Sequence, residues 1–245
     1  MTAGRVAFVT GGAGGIGSAI CRRLAGAGHQ VVVADLATDG TLIDEINGTA
    51  VTLDVTDPAS CTAAVAAAAD VAGGIDVLVN CAGWDELKPF LDSDEDFQHR
   101  VIEINLAGPI RLTRLVVPGM IERRWGRIVN VASDAGRVGS SMEAIYSAAK
   151  GGLIAFTKTI AREMARHGIT ANAVCPGPTD TPLVAAIVAA SADGDRVISS
   201  MTKAVPMRRI GQPDDIAPAV VYFASDEAGF TTGQTLSVSG GLTMA

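Results

Sequence analysis

Seven short runs rich in Val, Ile and Ala, spaced by longer Ala-rich stretches, constrain this chain more than any other feature. The runs are RVAFVT (5–10), QVVVAD (30–35), AVTLDV (50–55), IDVLVN (75–80), GRIVNVAS (126–133), ITANAVCPG (169–177) and TLSVSG (235–240). β-Branched residues without a regular polar alternate suit strands covered on both faces. The stretches 15–27, 58–72, 94–123, 146–167 and 214–225 read as helices. Strand and helix in alternation make βαβ units on a parallel sheet. The predicted class is therefore α/β: one domain over 1–245 with a seven-stranded parallel sheet and helices on both faces. A content of 48% hydrophobic and 18% charged residues is consistent with that much burial. One stretch breaks the rhythm: 180–212 holds amphipathic pieces interrupted by DGD, between the sixth strand and the last helix. It lies where a lid over the substrate would sit.

A net charge of −7 argues against a nucleic-acid partner. No apolar run is long enough to span a bilayer. The opening MTAGRVAFVTGG passes from strand to turn without the pattern of a signal peptide, so a cytoplasmic setting is expected. Cys21, Cys61, Cys81 and Cys175 have neither CxxC pairing nor metal-ligand spacing, and read as reduced thiols with no metal.

VTGGAGGIGSAI follows the first strand and opens a helix. Gly11, Gly15 and Gly17 let the backbone turn tightly and approach a pyrophosphate at the helix N-terminus, with Ala13, Gly14 and Ile16 lining the same loop. Asp35 ends the second strand eighteen residues beyond Gly17, where a carboxylate accepts both ribose hydroxyls of NAD and repels a 2′-phosphate. Gly14 and Leu36 stand where an NADP site would carry Arg or Lys. NAD is the expected cofactor. Asp54, followed by Val55, is placed to accept from the adenine amino group, and NCAG, with Asn80, Ala82 and Gly83, would pass beneath the adenosine ribose. Helix capping and turn geometry are the competing explanations for these residues.

AIYSAAKGG (144–152) holds one of only two tyrosines in the chain, four residues before a lysine. On a helix Tyr146 and Lys150 share a face, and the small residues around them admit another surface. An ammonium about 5 Å from a phenol, at an effective dielectric of about 20, favours phenolate by roughly 3 kcal/mol, about two pKa units. The pair is thus expected to be a proton donor/acceptor tuned by the lysine. Ser133, ending the fifth strand, is placed to hold a carbonyl oxygen beside the Tyr146 hydroxyl. Asn105 lies inside a predicted helix that it suits poorly, where it would bond a carbonyl or hold a proton-relaying water.

TGGAGGIG, NCAG, Asn105, Ser133, YSAAK and CPGPTDT, in this order, resemble the short-chain dehydrogenase/reductase family along essentially the whole chain. The resemblance implies a Rossmann fold, catalysis by Asn105, Ser133, Tyr146 and Lys150, a nicotinamide bordered by Pro176, Gly177, Thr179 and Thr181, and a homotetramer. Cys81 departs from the second Asn that many members carry there. AGWDELKPF (82–90), ASDAGRVGSS (132–141) and the segments 174–182 and 231–244 look like the alicyclic hydroxyacyl-CoA dehydrogenases within the family, which oxidise 2-hydroxycyclohexane-1-carboxyl-CoA. Lys203, Arg208 and Arg209 would then meet the phosphates of coenzyme A. A 3-oxoacyl-acyl-carrier-protein reductase and a dehydrogenase of a small free alcohol are the alternatives. A nucleotide-sensing module is the alternative of another class, disfavoured because both Tyr146 and Lys150 are present.

Overall fold

Every strand pair runs parallel, and the sheet order is β3-β2-β1-β4-β5-β6-β7 in the computed structural model, which describes residues 4–38, 40–191 and 193–244. The first half of the chain gives β1 (Val6–Thr10), α1 (Gly15–Gly26), β2 (Gln30–Asp35), α2 (Gly40–Ile46), β3 (Thr49–Thr52), α3 (Pro58–Ala72) and β4 (Val77–Asn80). α4 (Glu95–Ile102), α5 (Gly108–Arg123), β5 (Gly126–Val131), α6 (Ala135–Val138), α7 (Ala144–Met164) and β6 (Ile169–Pro176) follow. α8 (Pro182–Ala190), α9 (Gly194–Ala204), α10 (Pro213–Ala224) and β7 (Thr235–Val238) complete the fold.

All seven predicted strands are present, most of them trimmed by one to three residues at an end. The expected 94–123 helix is α4 and α5 joined by a wide π-helical turn at Glu103–Ala107. α2 was not anticipated: seven residues with only Leu42 buried leave too little apolar periodicity to read. The 180–212 stretch resolves into α8 and α9, capped by Thr181 and Asp193 respectively.

Successive residues of each central strand face opposite sides, and both sides are apolar. Ala7, Val9, Val31 and Val33 pack with Ile20 and Leu24 of α1 and Val220 and Phe223 of α10. Val6, Phe8 and Val32 pack on the other face, with Leu112 and Met120 of α5 and Cys61 and Ala64 of α3. The apolar side chains of α7 are largely used within the chain. Leu153, Ile154 and Ala161 are buried, and Phe156, Ile160 and Met164 lie partly buried against the core.

The chain moves outward from β1 through β2 to β3, then returns to place β4 on the other side of β1. That reversal opens a crevice at the C-terminal ends of β1 and β4, where open α/β sheets bind ligands. A polar chain crosses the sheet just behind it. Asn80 Nδ2 donates to Asn130 Oδ1 at 2.8 Å, and Asn130 Nδ2 donates to Thr157 Oγ1 at 2.8 Å, joining β4, β5 and α7.

Candidate active site

Gly11 has φ +62°, and a Cβ added there would lie 2.7 Å from Ala82 Cα. At Gly17 it would lie 2.0 Å from the Gly11 carbonyl oxygen. The loop therefore closes only with glycine at both places, and it stays open to solvent at Ala13 and Gly14 ahead of α1. This bare backbone at a helix N-terminus fits a pyrophosphate. Asp35 adjoins it: Ala13 N–H donates to Oδ2 at 3.0 Å and Leu36 N–H to Oδ1 at 2.8 Å. Leu36 is 69% exposed and brings no cation to the carboxylate.

The remaining predicted cofactor contacts divide. Asp54 accepts from the Thr56 N–H and hydroxyl at 2.9 and 2.7 Å, bonds that hold its carboxyl below the usual range. Val55 is buried, and its carbonyl accepts from Arg111 at 2.6 Å. The Asn80 side chain turns into the polar chain described above, so it is the backbone of NCAG that faces the crevice. Ala82 and Cys81 N–H both donate to Thr10 Oγ1, which fixes this segment on the end of β1. Ile16 packs on the core.

At the other side of the crevice Pro176 ends β6, and Gly177 passes so close to Ser239 that a Cβ would meet its Cβ at 2.8 Å. Thr179 is buried and bridges to Gly211. Thr181 caps α8 and, with Pro182, lies against Gly15, so the start of α8 rests on the glycine loop.

α7 carries Tyr146 and Lys150 to the C-terminal edge of β5. Lys150 is 3% exposed, donates to the Val131 carbonyl at 2.9 Å, and lies 5.6 Å from the Tyr146 ring centroid. Ser133 Oγ accepts from Ala135 N–H at 3.1 Å and lies near enough to the Tyr146 phenol to lower it. Asn105, wholly buried in the π-helical turn, donates to the Trp84 and Val101 carbonyls at 2.7 and 2.9 Å. Such turns shift a helix face by one residue and recur at functional sites. Gly83 brings the pieces together: a Cβ there would be 3.2 Å from Asn105 Oδ1 and 3.6 Å from Lys150 Nζ. Asn105 makes the carbonyl bonds expected of it.

One expectation is corrected. The lysine does not bring the tyrosine into working range, because burial pushes the Tyr146 phenol well above its usual pKa. Ser133 lowers it, while the carboxyls of Glu143 and Asp85 raise it further. Burial also brings the Lys150 ammonium down to about 8. Desolvation is invisible to spacing on a helix, and here it is the largest influence on the phenol.

Asp85 and Glu143 were not anticipated as site residues. Asp85 is 5% exposed and its carboxyl is raised to about 7, by burial first and by Glu143 next among the raising influences. The sequence gives no signal that residues 85 and 143 line one cleft. Lys203, Arg208 and Arg209 are only partly available to a phosphate. Arg209 binds both oxygens of Asp215 at 2.5 and 2.8 Å, and Arg208 donates to the Lys203 carbonyl. Among the described residues no cluster could hold a metal ion, and no helix is long and apolar enough to cross a membrane.

Residues 11–243 match a family model described as enoyl-(acyl carrier protein) reductase. The chain belongs to the short-chain dehydrogenase/reductase family, and is an oxidoreductase acting on CH–OH and ketone groups with a nicotinamide cofactor. It is similar to the 3-oxoacyl-[acyl-carrier-protein] reductase FabG of Vibrio cholerae, 40% identical over 98% of each chain. It is likewise similar to an acetoacetyl-CoA reductase of Shinella zoogloeoides, 42% identical over 97% of this chain and 98% of that one. Among solved structures, a variant of the actinorhodin polyketide ketoreductase with NADPH superposes with a TM-score of 0.92. That protein is 38% identical, over 98% of this chain and 97% of that one.

Proposed function

We propose that this protein interconverts hydroxyacyl and oxoacyl thioesters with NAD, using Asn105, Ser133, Tyr146 and Lys150. The observation that carries the reading is the Lys150 ammonium, anchored on the Val131 carbonyl at the end of β5, 5.6 Å from the Tyr146 ring, with Ser133 near enough to lower the phenol. Ser133 and Tyr146 would hold the substrate oxygen between two hydroxyls, and Tyr146 would give it a proton in reduction or take one in oxidation. Lys150, still charged at neutral pH, would favour the phenolate and reach the ribose. Asn105 would fix the Trp84 segment and with it the shape of the pocket. When bound, the nicotinamide supplies or receives the hydride and its positive charge helps to lower the phenol.

Gly11, Ala13, Gly14, Gly15, Ile16 and Gly17 would hold the pyrophosphate. Asp35 and Leu36 would select NAD; Asp54, Val55, Asn80, Ala82 and Gly83 would line the adenosine. Pro176, Gly177, Thr179 and Thr181 would border the nicotinamide, and α8 and α9 would close over the substrate as a lid. The likeness of segments 84–90 and 134–141 supports an alicyclic 2-hydroxyacyl-CoA. The relatives named for 3-oxoacyl-carrier-protein and acetoacetyl-CoA reduction support the second reading, a 3-oxoacyl thioester reductase, equally well. A cytoplasmic homotetramer completes the proposal, with the four thiols free.

The test is Tyr146→Phe on a panel of hydroxyacyl and oxoacyl thioesters. Removing only the transferring hydroxyl should lower kcat by about 10²–10⁴-fold and leave cofactor affinity nearly unchanged. Lys150→Ala should damage both. A Tyr146→Phe enzyme that keeps most of its turnover overturns the assignment.

A further inference from the structure

α6 begins two residues after Ser133, and its first turn holds that serine at two atoms. Ser133 Oγ accepts from Ala135 N–H at 3.1 Å, and the Ser133 carbonyl accepts from Gly136 N–H at 3.1 Å. Whatever fixes this turn therefore fixes the hydroxyl. The turn is fixed from β7, on the far side of β6. Asp134 Oδ1 accepts from the Ser237 hydroxyl, and Ser237 Oγ accepts in turn from Arg137 at 2.7 Å. Arg137 N–H also donates to the Asp134 carbonyl at 2.9 Å, so both partners of Ser237 belong to one turn. Ser237 is the register partner of Cys175, which places the meeting point across the whole width of β6.

The chemistry of the joint is exacting. Asp134 is 3% exposed, and its Oδ2 has no hydrogen-bond partner among the described residues. A buried carboxylate is costly unless a donor or a cation meets it. Here the Arg137 charge reaches the carboxylate through the Ser237 hydroxyl. That hydroxyl accepts from a guanidinium and donates to a carboxylate, so its rotation is fixed at both ends. Removing the one oxygen would strand both charged groups and release the turn. The backbone alone holds it only from below: Asp134 N–H donates to the Pro176 carbonyl at 3.1 Å, and Gly177 N–H to the Val238 carbonyl at 3.2 Å.

We propose that Ser237 is a positioning residue for the reaction: through Asp134 and Arg137 it locks the first turn of α6 and aims the Ser133 hydroxyl at the substrate oxygen. The inference rests on the role given to Ser133 above. It deepens that reading by making the serine's reactivity depend on a side chain of the last strand, which itself touches neither substrate nor cofactor.

The readout is reduction of acetoacetyl-CoA with NADH. Ser237→Ala should lower kcat by about ten- to a hundredfold, the cost of a misplaced group, and leave the KM for NADH nearly unchanged. Ser237→Thr keeps the hydroxyl and should restore most of the loss. In a Ser133→Ala background, adding Ser237→Ala should cost little further kcat, because the hydroxyl to be aimed is gone, while its effect on Tm stays the same. A merely structural strap would cost the same factor in both backgrounds. Wild-type kcat in Ser237→Ala, or equal losses with and without the Ser133 hydroxyl, overturn the inference. Should Ser237→Ala not fold, Arg137→Gln in the same two backgrounds decides it by the same criterion. If acetoacetyl-CoA is not turned over, or Ser133→Ala keeps its turnover, it is the proposed function that fails. Amide hydrogen exchange then decides the inference: Ala135, Gly136 and Arg137 must exchange faster in Ser237→Ala and recover in Ser237→Thr, with β1 and β4 unmoved. Unchanged exchange overturns it.

Discussion

A carboxylate at the end of β2 does two jobs at once. Asp35 ties the glycine loop through Ala13 N–H and turns the next residue through Leu36 N–H, while presenting its charge where a ribose would lie. For the wild type, kcat/KM should favour NAD over NADP by roughly tenfold or more, since a 2′-phosphate would meet an anion with no counter-charge. Asp35→Ser with Leu36→Arg should narrow or reverse the preference. It should also lower thermal stability, because two accepted bonds are each worth about 0.5–1.5 kcal/mol. Equal efficiency of the wild type with both cofactors refutes the reading. At this scale Tyr146, Lys150, Ser133 and Asp35 were legible because each stands at a fixed offset from a recognisable strand end or on one helix face. The tuning was not legible. The phenol's elevation comes from burial, and Asp85 adds to it across a separation in sequence that no local pattern spans.

α6 crosses α7 backbone to backbone at Gly136. A Cβ at Gly136 would lie 2.6 Å from the Lys150 carbonyl carbon and 2.7 Å from Gly151 N, so the contact is backbone on backbone and cannot be relieved by a rotamer change. Gly136 N–H also donates to the Ser133 carbonyl, which couples this crossing to both hydroxyl and ammonium. Gly136→Ala should cost about 1–3 kcal/mol by overpacking, seen as a fall in Tm of about 2–4 °C per kcal/mol, and should reduce kcat. Gly26→Ala is the contrast: nothing lies within 4 Å of its Cβ and it ends α1, so the same change should be neutral or stabilising by up to about 1 kcal/mol. Comparable Tm losses in the two variants would contradict the close-contact account. Strands and long helices were readable because apolar periodicity survives over their whole length. α2 and the division of 180–212 into α8 and α9 were not, since short exposed helices leave hardly any buried face to repeat.

Across the whole molecule, uncovered apolar side chains gather around α10, β7 and the tail. Phe230 is fully exposed, and Tyr222, Leu236, Leu242 and Met244 accompany it. β7 is also an edge strand. An open edge bordered by apolar side chains is a surface for a second copy. The expected particle is a homotetramer of roughly four times the 24.9 kDa chain, since closed symmetry built on two-fold interfaces is the common outcome. Light scattering at micromolar concentration measures it, and Phe230→Asp with Leu236→Asp should give a smaller species. A monomeric wild type rules the assembly out.

The polar chain from Asn80 through Asn130 to Thr157 has a consequence for how the fold is reached. Asn80 and Asn130 are register partners across β4 and β5. A slip of one residue would turn one amide to the opposite side of the sheet and strand buried polar groups, at about 1–3 kcal/mol for each. Apolar strands such as VLVN and RIVNV discriminate weakly between neighbouring registers, since Val, Leu and Ile are nearly interchangeable in a crude core. Parallel sheets also assemble slowly through distant pairings. The asparagines therefore act as an error check on strand alignment, on which the contact of Lys150 with the Val131 carbonyl at the end of β5 also depends.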